Sequence, residues 1–149
     1  LSTLITPNLP EARLLAEQNI ESVDDMLEAA RALQQRGASA VLVKGGHMPG
    51  NTLSDVLLLA DGSKHVFTDA RIDTRNTHGT GCTLSAAIAA HLALGADLLR
   101  AVQRGRDYVR NALTAGAKAC IGHGHGPVNH GFDPQPMHIR PLSGVAAHE

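Results

Sequence analysis

The sequence is poor in aromatic residues: two Phe, one Tyr and no Trp, 2% of its 149 residues. That excludes a stacking platform for single-stranded nucleic acid and a lectin-like aromatic pocket. Cysteine is also scarce. Cys82 and Cys120 stand far apart with no metal-type spacing, so there is no disulfide framework, and a reducing compartment, the cytoplasm, is expected. Charge of one sign is not in excess: thirteen basic residues against fourteen acidic ones leave a net −1, too little to hold a nucleic-acid backbone. A membrane-length hydrophobic run is missing too, because His91, Gly95 and Asp97 interrupt the longest apolar stretch, Leu84 to Leu99. Neither nucleic acid nor membrane is therefore an expected partner. Nothing resembles a signal peptide, and the chain starts at Leu1 rather than Met, so Leu1 is not taken as a natural start.

What is present is 43% hydrophobic residues, mostly Ala, Leu, Val and Ile, with 18% charged. This is too apolar for disorder and suits helices packed on a parallel sheet. The length matches one domain or part of a larger one, and a chain of this size buries roughly two-thirds of its unfolded surface without disulfides.

Along the chain, Thr3–Thr6 reads as a short strand ended by Pro7. Asn8-Leu9-Pro10-Glu11 opens a helix, with Pro10 in the first turn and Glu11 favouring the dipole. Ser22 and Asp24 can cap a second helix over Asp25–Arg36, stopped by Gly37. Ala40–Lys44 is a nearly all-apolar strand leading into Gly45-Gly46, a loop at a strand's carboxyl edge, where ligands of doubly wound sheets bind. Leu53–Ala60 and Lys64–Asp69 flank the hairpin dipeptide Asp61-Gly62. Residues 71–78 are polar and loop-like. An Ala-rich helix spans Gly79–Leu94 and ends at Gly95; Asp97 caps a last helix through about Ala119; the rest reads as Gly/His/Pro-rich loop.

The stretch richest in chemistry is Asn76-Thr77-His78-Gly79-Thr80-Gly81-Cys82-Thr83. Glycines just before a helix let backbone N–H groups face outward at its positive end, a geometry that receives a phosphate or a developing oxyanion. Cys82 falls in the first turn, where the dipole favours a thiolate able to take a proton from a substrate hydroxyl. The plainer alternative is a glycine-rich cap with a small buried Cys. Asn8 and Glu11 offer oxygens suited to Mg²⁺ through water, or an ordinary helix cap. Lys44 with Gly45-Gly46 could aim an ammonium at phosphates, or be a solvated strand end. His123, His125 and His130 fit no common zinc pattern. His47 and His78 flank the proposed phosphate region, and Cys120 reads as core.

Taken together, Thr-Pro-Asn-Leu-Pro-Glu (6–11), Val-Lys-Gly-Gly-His (43–47) and Arg-Ile-Asp-Thr-Arg-Asn-Thr-His-Gly-Thr-Gly-Cys-Thr-Leu-Ser-Ala-Ala (71–87) resemble the hydroxymethylpyrimidine/phosphomethylpyrimidine kinases of thiamine biosynthesis, in the ribokinase-like superfamily. Gly-His-Gly-Pro-Val-Asn-His (124–130) resembles that family's C-terminal segment. Most ribokinase-like sugar kinases carry Asp after Gly-Thr-Gly; Cys82 points to the pyrimidine-kinase branch and some related pyridoxal kinases. The resemblance implies an α/β fold, a three-layer αβα arrangement whose mostly parallel sheet finishes in an antiparallel hairpin. It implies Cys82 as catalytic base, Gly79, Thr80 and Gly81 as anion hole, and Asn8 and Glu11 as organisers of Mg²⁺. Lys44, Gly46 and Thr77 would serve ATP.

Members of that family are about twice as long. Residues 1–140 therefore correspond to the ATP-side, C-terminal half of one domain, truncated at the N-terminal side, with 141–149 as a disordered tail. The implied activity is ATP- and Mg²⁺-dependent phosphorylation of 4-amino-5-hydroxymethyl-2-methylpyrimidine and its monophosphate, in a homodimer. Competing readings are pyridoxal kinase, a nucleotide-binding fragment without turnover, and a thiol hydrolase pairing Cys82 with His78.

Overall fold

Side-chain caps start three of the four helices in a computed structural model that describes residues 2–46 and 50–138. In order, the elements are α1 (Leu9–Ala16), α2 (Val23–Gln35), β1 (Val41–Lys44), β2 (Thr52–Leu58), β3 (Lys64–Ala70), α3 (Thr80–Ala93) and α4 (Leu98–Gly116). The chain divides into two compact units, Leu1–Asp73 and Thr74–Glu149, the division falling inside the polar stretch that reads as loop. The expected tail, 141–149, and His47 lie outside the described residues.

In the first unit, α1 and α2 pack on each other and on the sheet. Leu9, Ala12, Ile20, Met26, Ala29, Ala30, Val41, Val43 and Val56 form its core. The apolar residues of α2 recur at helical spacing, which turns them together toward β1 and β2. Ser22 caps α2 by accepting from the Asp25 N–H, and the Asp25 carboxylate accepts in return from the N–H groups of Glu21 and Ser22, each at 2.9 Å. These bonds, that from Glu21 foremost, hold the Asp25 carboxyl below its ordinary value. A depressed folded-state pKa contributes stability above the unfolded pKa and loses it as pH falls through the folded one. Acid melts should therefore show wild type losing stability below about pH 4 relative to Asp25→Asn, which lacks this titration; parallel curves would exclude the cap as the source.

The sheet order is β1-β2-β3, and among the described residues all three strands pair antiparallel. The expected hairpin is there: Leu58 pairs with Lys64 across a turn in which Gly62 has φ 83° and Asp61 Oδ1 accepts from the Ser63 N–H. The expectation of a mostly parallel sheet needs correction. Among the described residues, parallel pairing onto this sheet is confined to isolated bridges from Ile5 to Val41 and from Asn8 to Lys44 on the free side of β1. Its bonds are Ile5 N–H to Ala40 O, Leu42 N–H to Ile5 O and Lys44 N–H to Pro7 O. Pro7 has no N–H to return, and Asn8 already turns into α1, so Thr3–Thr6 never becomes a full ladder.

In the second unit α3 and α4 pack together, closely enough that a Cβ on Gly105 would lie 2.8 Å from Ile88 Cγ1 and 3.3 Å from its backbone nitrogen. Gly105→Ala gains up to about 1 kcal/mol of helix propensity but forces the helices apart at about 1–3 kcal/mol. A net loss in urea midpoint is expected; a gain would mean the crossing is looser than described. Gly95, at φ 91°, ends α3 as the sequence predicts. The last helix stops at Gly116, three residues early, because Asn76 takes its terminal carbonyls: Nδ2 donates to Gly116 O at 2.7 Å and Ala119 O at 2.8 Å. Cys120, expected in the core, is exposed, since it follows this stop instead of sitting on a helix face.

Candidate active site

The sequence-derived residues fall into two groups, one in each unit. In the first, Asn8 and Glu11 form a reciprocal capping box. Asn8 Oδ1 accepts from the Glu11 N–H at 2.9 Å, and Glu11 Oε2 accepts from the Asn8 N–H at 2.8 Å. The plain capping reading is thus satisfied in full. Glu11 stays exposed with its other carboxylate oxygen outside the box. One exposed carboxylate beside an amide oxygen fits Mg²⁺, a cation that keeps several waters and shares the rest of its shell with phosphates.

Lys44 ends β1 directly across the parallel bridge from Asn8, and its Nζ donates to the Thr6 carbonyl. Gly45 is buried, and its N–H donates to Asp55 Oδ1 at 2.9 Å. Gly46 is exposed, with its carbonyl accepting from Arg71 Nη1 at 3.3 Å. The end of β1 therefore gathers Asn8, Glu11, Lys44 and the two glycines.

In the second unit, Gly79 is the N-cap of α3 at φ 87°, a left-handed conformation that favours glycine, and it offers no side-chain cap. Of the first amides, that of Thr80 turns back to the Thr77 carbonyl at 3.3 Å. Those of Gly81 and Cys82 have no acceptor within the helix, since an α-helix leaves its first N–H groups unpaired. The helix dipole adds partial positive charge at the same place. Cys82 is exposed in this turn rather than buried, so its thiol is available to chemistry.

The 124–130 segment closes against this turn. His78 donates its N–H to Gly126 O at 3.0 Å and receives the Val128 N–H at 3.4 Å, forming a parallel bridge to Pro127. Arg75 Nη2 donates to His123 O at 2.9 Å. An open groove of about 570 Å³ runs beside Cys82, lined by Thr83, Ala87, His91, Tyr108 and His130. Among the described residues, no group of three or more His, Cys, Asp or Glu is placed to hold a metal ion.

Sequence reasoning missed Asn76, Thr83 and Tyr108 as supports of the turn. Asn76 lay inside the quoted block, yet nothing in its spacing reveals a partner forty residues on.

The sequence model of the phosphomethylpyrimidine kinase family matches residues 1–129. The chain belongs to this family. It is 48% identical over 132 residues to the hydroxymethylpyrimidine/phosphomethylpyrimidine kinase of Rhizobium meliloti, a match covering 87% of this chain and 49% of that protein. Against the Escherichia coli enzyme of the same name the identity is 44% over 129 residues, covering 86% and 48%. Among solved structures, the ADP complex of Bacillus subtilis pyridoxal kinase matches with a TM-score of 0.79 at 36% identity, over 87% of this chain and 48% of that one. The phosphomethylpyrimidine kinase of Clostridium difficile matches with a TM-score of 0.60 at 35% identity, over 75% and 43%. These likenesses place the fold in the ribokinase-like superfamily expected from the sequence. The chain spans about half the length of these relatives. No helix among the described residues is long and apolar enough to cross a membrane.

Proposed function

We propose that this chain supplies the phosphate-handling part of an ATP-dependent kinase for 4-amino-5-hydroxymethyl-2-methylpyrimidine and its monophosphate. The observation that carries the reading is the exposed Cys82 in the first turn of α3, next to the Gly81 and Cys82 amides and behind a glycine cap. In the first reaction the Cys82 thiolate takes the hydroxyl proton. The substrate oxygen attacks the γ-phosphorus, and the bond to the departing ADP breaks. The amides receive the charge that grows on the transferring phosphoryl oxygens.

Lys44 would face ATP phosphates together with Gly46, with Thr77 lining the nucleotide site and Asn8 and Glu11 organising Mg²⁺. When bound, Mg²⁺ would neutralise charge on the nucleotide phosphates. For Lys44 this means exchanging the Thr6 carbonyl for a phosphate oxygen, a stronger, charge-assisted partner. In the second reaction the nucleophile is a phosphate oxygen that is already ionised, so positioning and charge neutralisation dominate. A reducing cytoplasm suits two free, exposed cysteines, and a homodimer is the assembly we favour.

Pyridoxal phosphorylation is the second reading, favoured by the structural match to the B. subtilis pyridoxal kinase. Mg-ATP titrated calorimetrically into the chain, followed by an assay in which hydroxymethylpyrimidine and pyridoxal compete, tests both. Preferential turnover of the pyrimidine supports the main reading. Preference for pyridoxal supports the second, binding without turnover leaves a nucleotide-binding module, and absence of Mg-ATP binding refutes all three.

A further inference from the structure

Thr83 Oγ1 has one proton and two close neighbours. It donates to the Gly79 carbonyl at 2.8 Å, one turn back on α3, and His130 Nε2 lies 2.9 Å away on its other side. With the hydroxyl proton assigned to that carbonyl, which can only accept, the imidazole is the donor, with its proton on Nε2; the other tautomer would reverse the bond. Gly79 O accepts from the Thr83 N–H as well, also at 2.8 Å, so both of its lone pairs are engaged. That carbonyl shares a rigid peptide plane with the Thr80 N–H. Whatever holds it sets the plane that leads into the amides of Gly81 and Cys82.

The imidazole is itself mounted firmly. The Tyr108 hydroxyl donates to the His130 carbonyl at 3.2 Å, the neighbouring Asn129 N–H donates to Ala112 O at 3.2 Å, and Val128 is buried. Both anchors lie on α4. The Tyr108 ring also packs on Phe132 at 5.1 Å between centroids.

From this relay we infer that His130 is a positioning residue: it orients Thr83, and through it the Gly79–Cys82 turn, so that the turn's amides are aimed before a phosphoryl group arrives. The inference rests on the reading of this turn as a phosphoryl cradle, and it gives the 124–130 segment a part in the reaction. In this role His130 acts through Thr83 and not on a reacting atom itself.

The test compares wild type with His130→Ala, His130→Gln, Thr83→Val and the His130→Ala/Thr83→Val pair. Gln keeps an amide N–H donor, whereas Ala does not. Imidazole ¹⁵N shifts of wild type should show the proton on Nε2. Backbone amide shifts of Gly81 and Cys82 should move in His130→Ala and return toward wild type in His130→Gln. In turnover with ATP, His130→Ala should lower kcat about tenfold, the scale of one lost hydrogen bond, with KM for ATP within about twofold. His130→Gln should recover most of it, and the pair should be no worse than the poorer single variant.

A ring protonated on Nδ1, amide shifts indifferent to His130, or losses that simply add in the pair would overturn the inference. So would a Gln variant as poor as Ala. If wild type shows no turnover at all, the kinase reading fails for the chain alone, while the ¹⁵N and amide shifts still decide the relay.

Discussion

Cys82→Ala should lower phosphorylation of the hydroxymethylpyrimidine by about 10²- to 10⁴-fold, the usual worth of a positioned general base. Phosphorylation of the monophosphate should fall much less, within about tenfold, because its nucleophile needs no deprotonation. The asymmetry follows from where the residue sits. Cys82 is exposed in the first turn of α3, so truncation removes no core packing. The amides of Gly81 and Cys82 remain, since they belong to the backbone, and so does whatever charge stabilisation they supply. Initial rates on the two substrates, at matched Mg-ATP, provide the comparison. Equal losses in both steps would remove Cys82 from the role of base and leave it as part of the cradle. An unchanged rate in the first step would remove it from the mechanism.

Gly45→Ala should unfold the first unit or lower its melting temperature by on the order of 10–20 °C. A Cβ there would lie 1.9 Å from the Ser54 carbonyl oxygen, and 3.0 Å from its carbon. These are backbone atoms of the neighbouring chain segment and cannot rotate away. Overpacking costs typically about 1–3 kcal/mol and more where the clash is with backbone. In a unit of this size each kcal/mol is worth about 4–8 °C. The same shift would pull the Gly45 N–H from Asp55 Oδ1. Gly46→Ala is the control: nothing lies within 4 Å of its Cβ position, so its melt should match wild type within a few degrees. Similar melting of the two variants would show that β1 and β2 are more loosely apposed at this end than the structure describes.

Much of this architecture can be read in the sequence because it depends on neighbours. The Asn8 cap with Glu11, the Ser22 cap, the Asp61-Gly62 turn and the Gly95 stop each involve residues within a few positions, and each is where its residue types predict. The glycine-capped turn before Cys82 is of the same kind. What could not be read is set by distant partners. The parallel strand fades because Pro7 and α1 cut it short, although the apolar pattern of Thr3–Thr6 is that of an ordinary strand. The early end of α4 and the exposure of Cys120 follow from Asn76, more than forty positions upstream of Ala119 and chemically indistinguishable from a loop asparagine. His130 is the clearest case. In the sequence it stands only among three histidines that fit no common zinc pattern, and its distance to Thr83 is what brings it to the turn.

The long-range ties of Asn76 and Gly126 also bear on the order in which the chain takes shape as it leaves the ribosome. Among the described residues, β1, β2 and β3 pair within residues up to Ala70, so these pairings can form while later residues are still being added. The ties of the second unit cannot. Gly126 fits so tightly that a Cβ on it would lie 2.0 Å from Asn76 Oδ1, and His130 must arrive before Thr83 has its second partner. At about 5–20 residues per second, several seconds of synthesis separate the two events. During that interval the glycine turn exists without its backing, and only the arrival of the 126–130 segment makes it rigid.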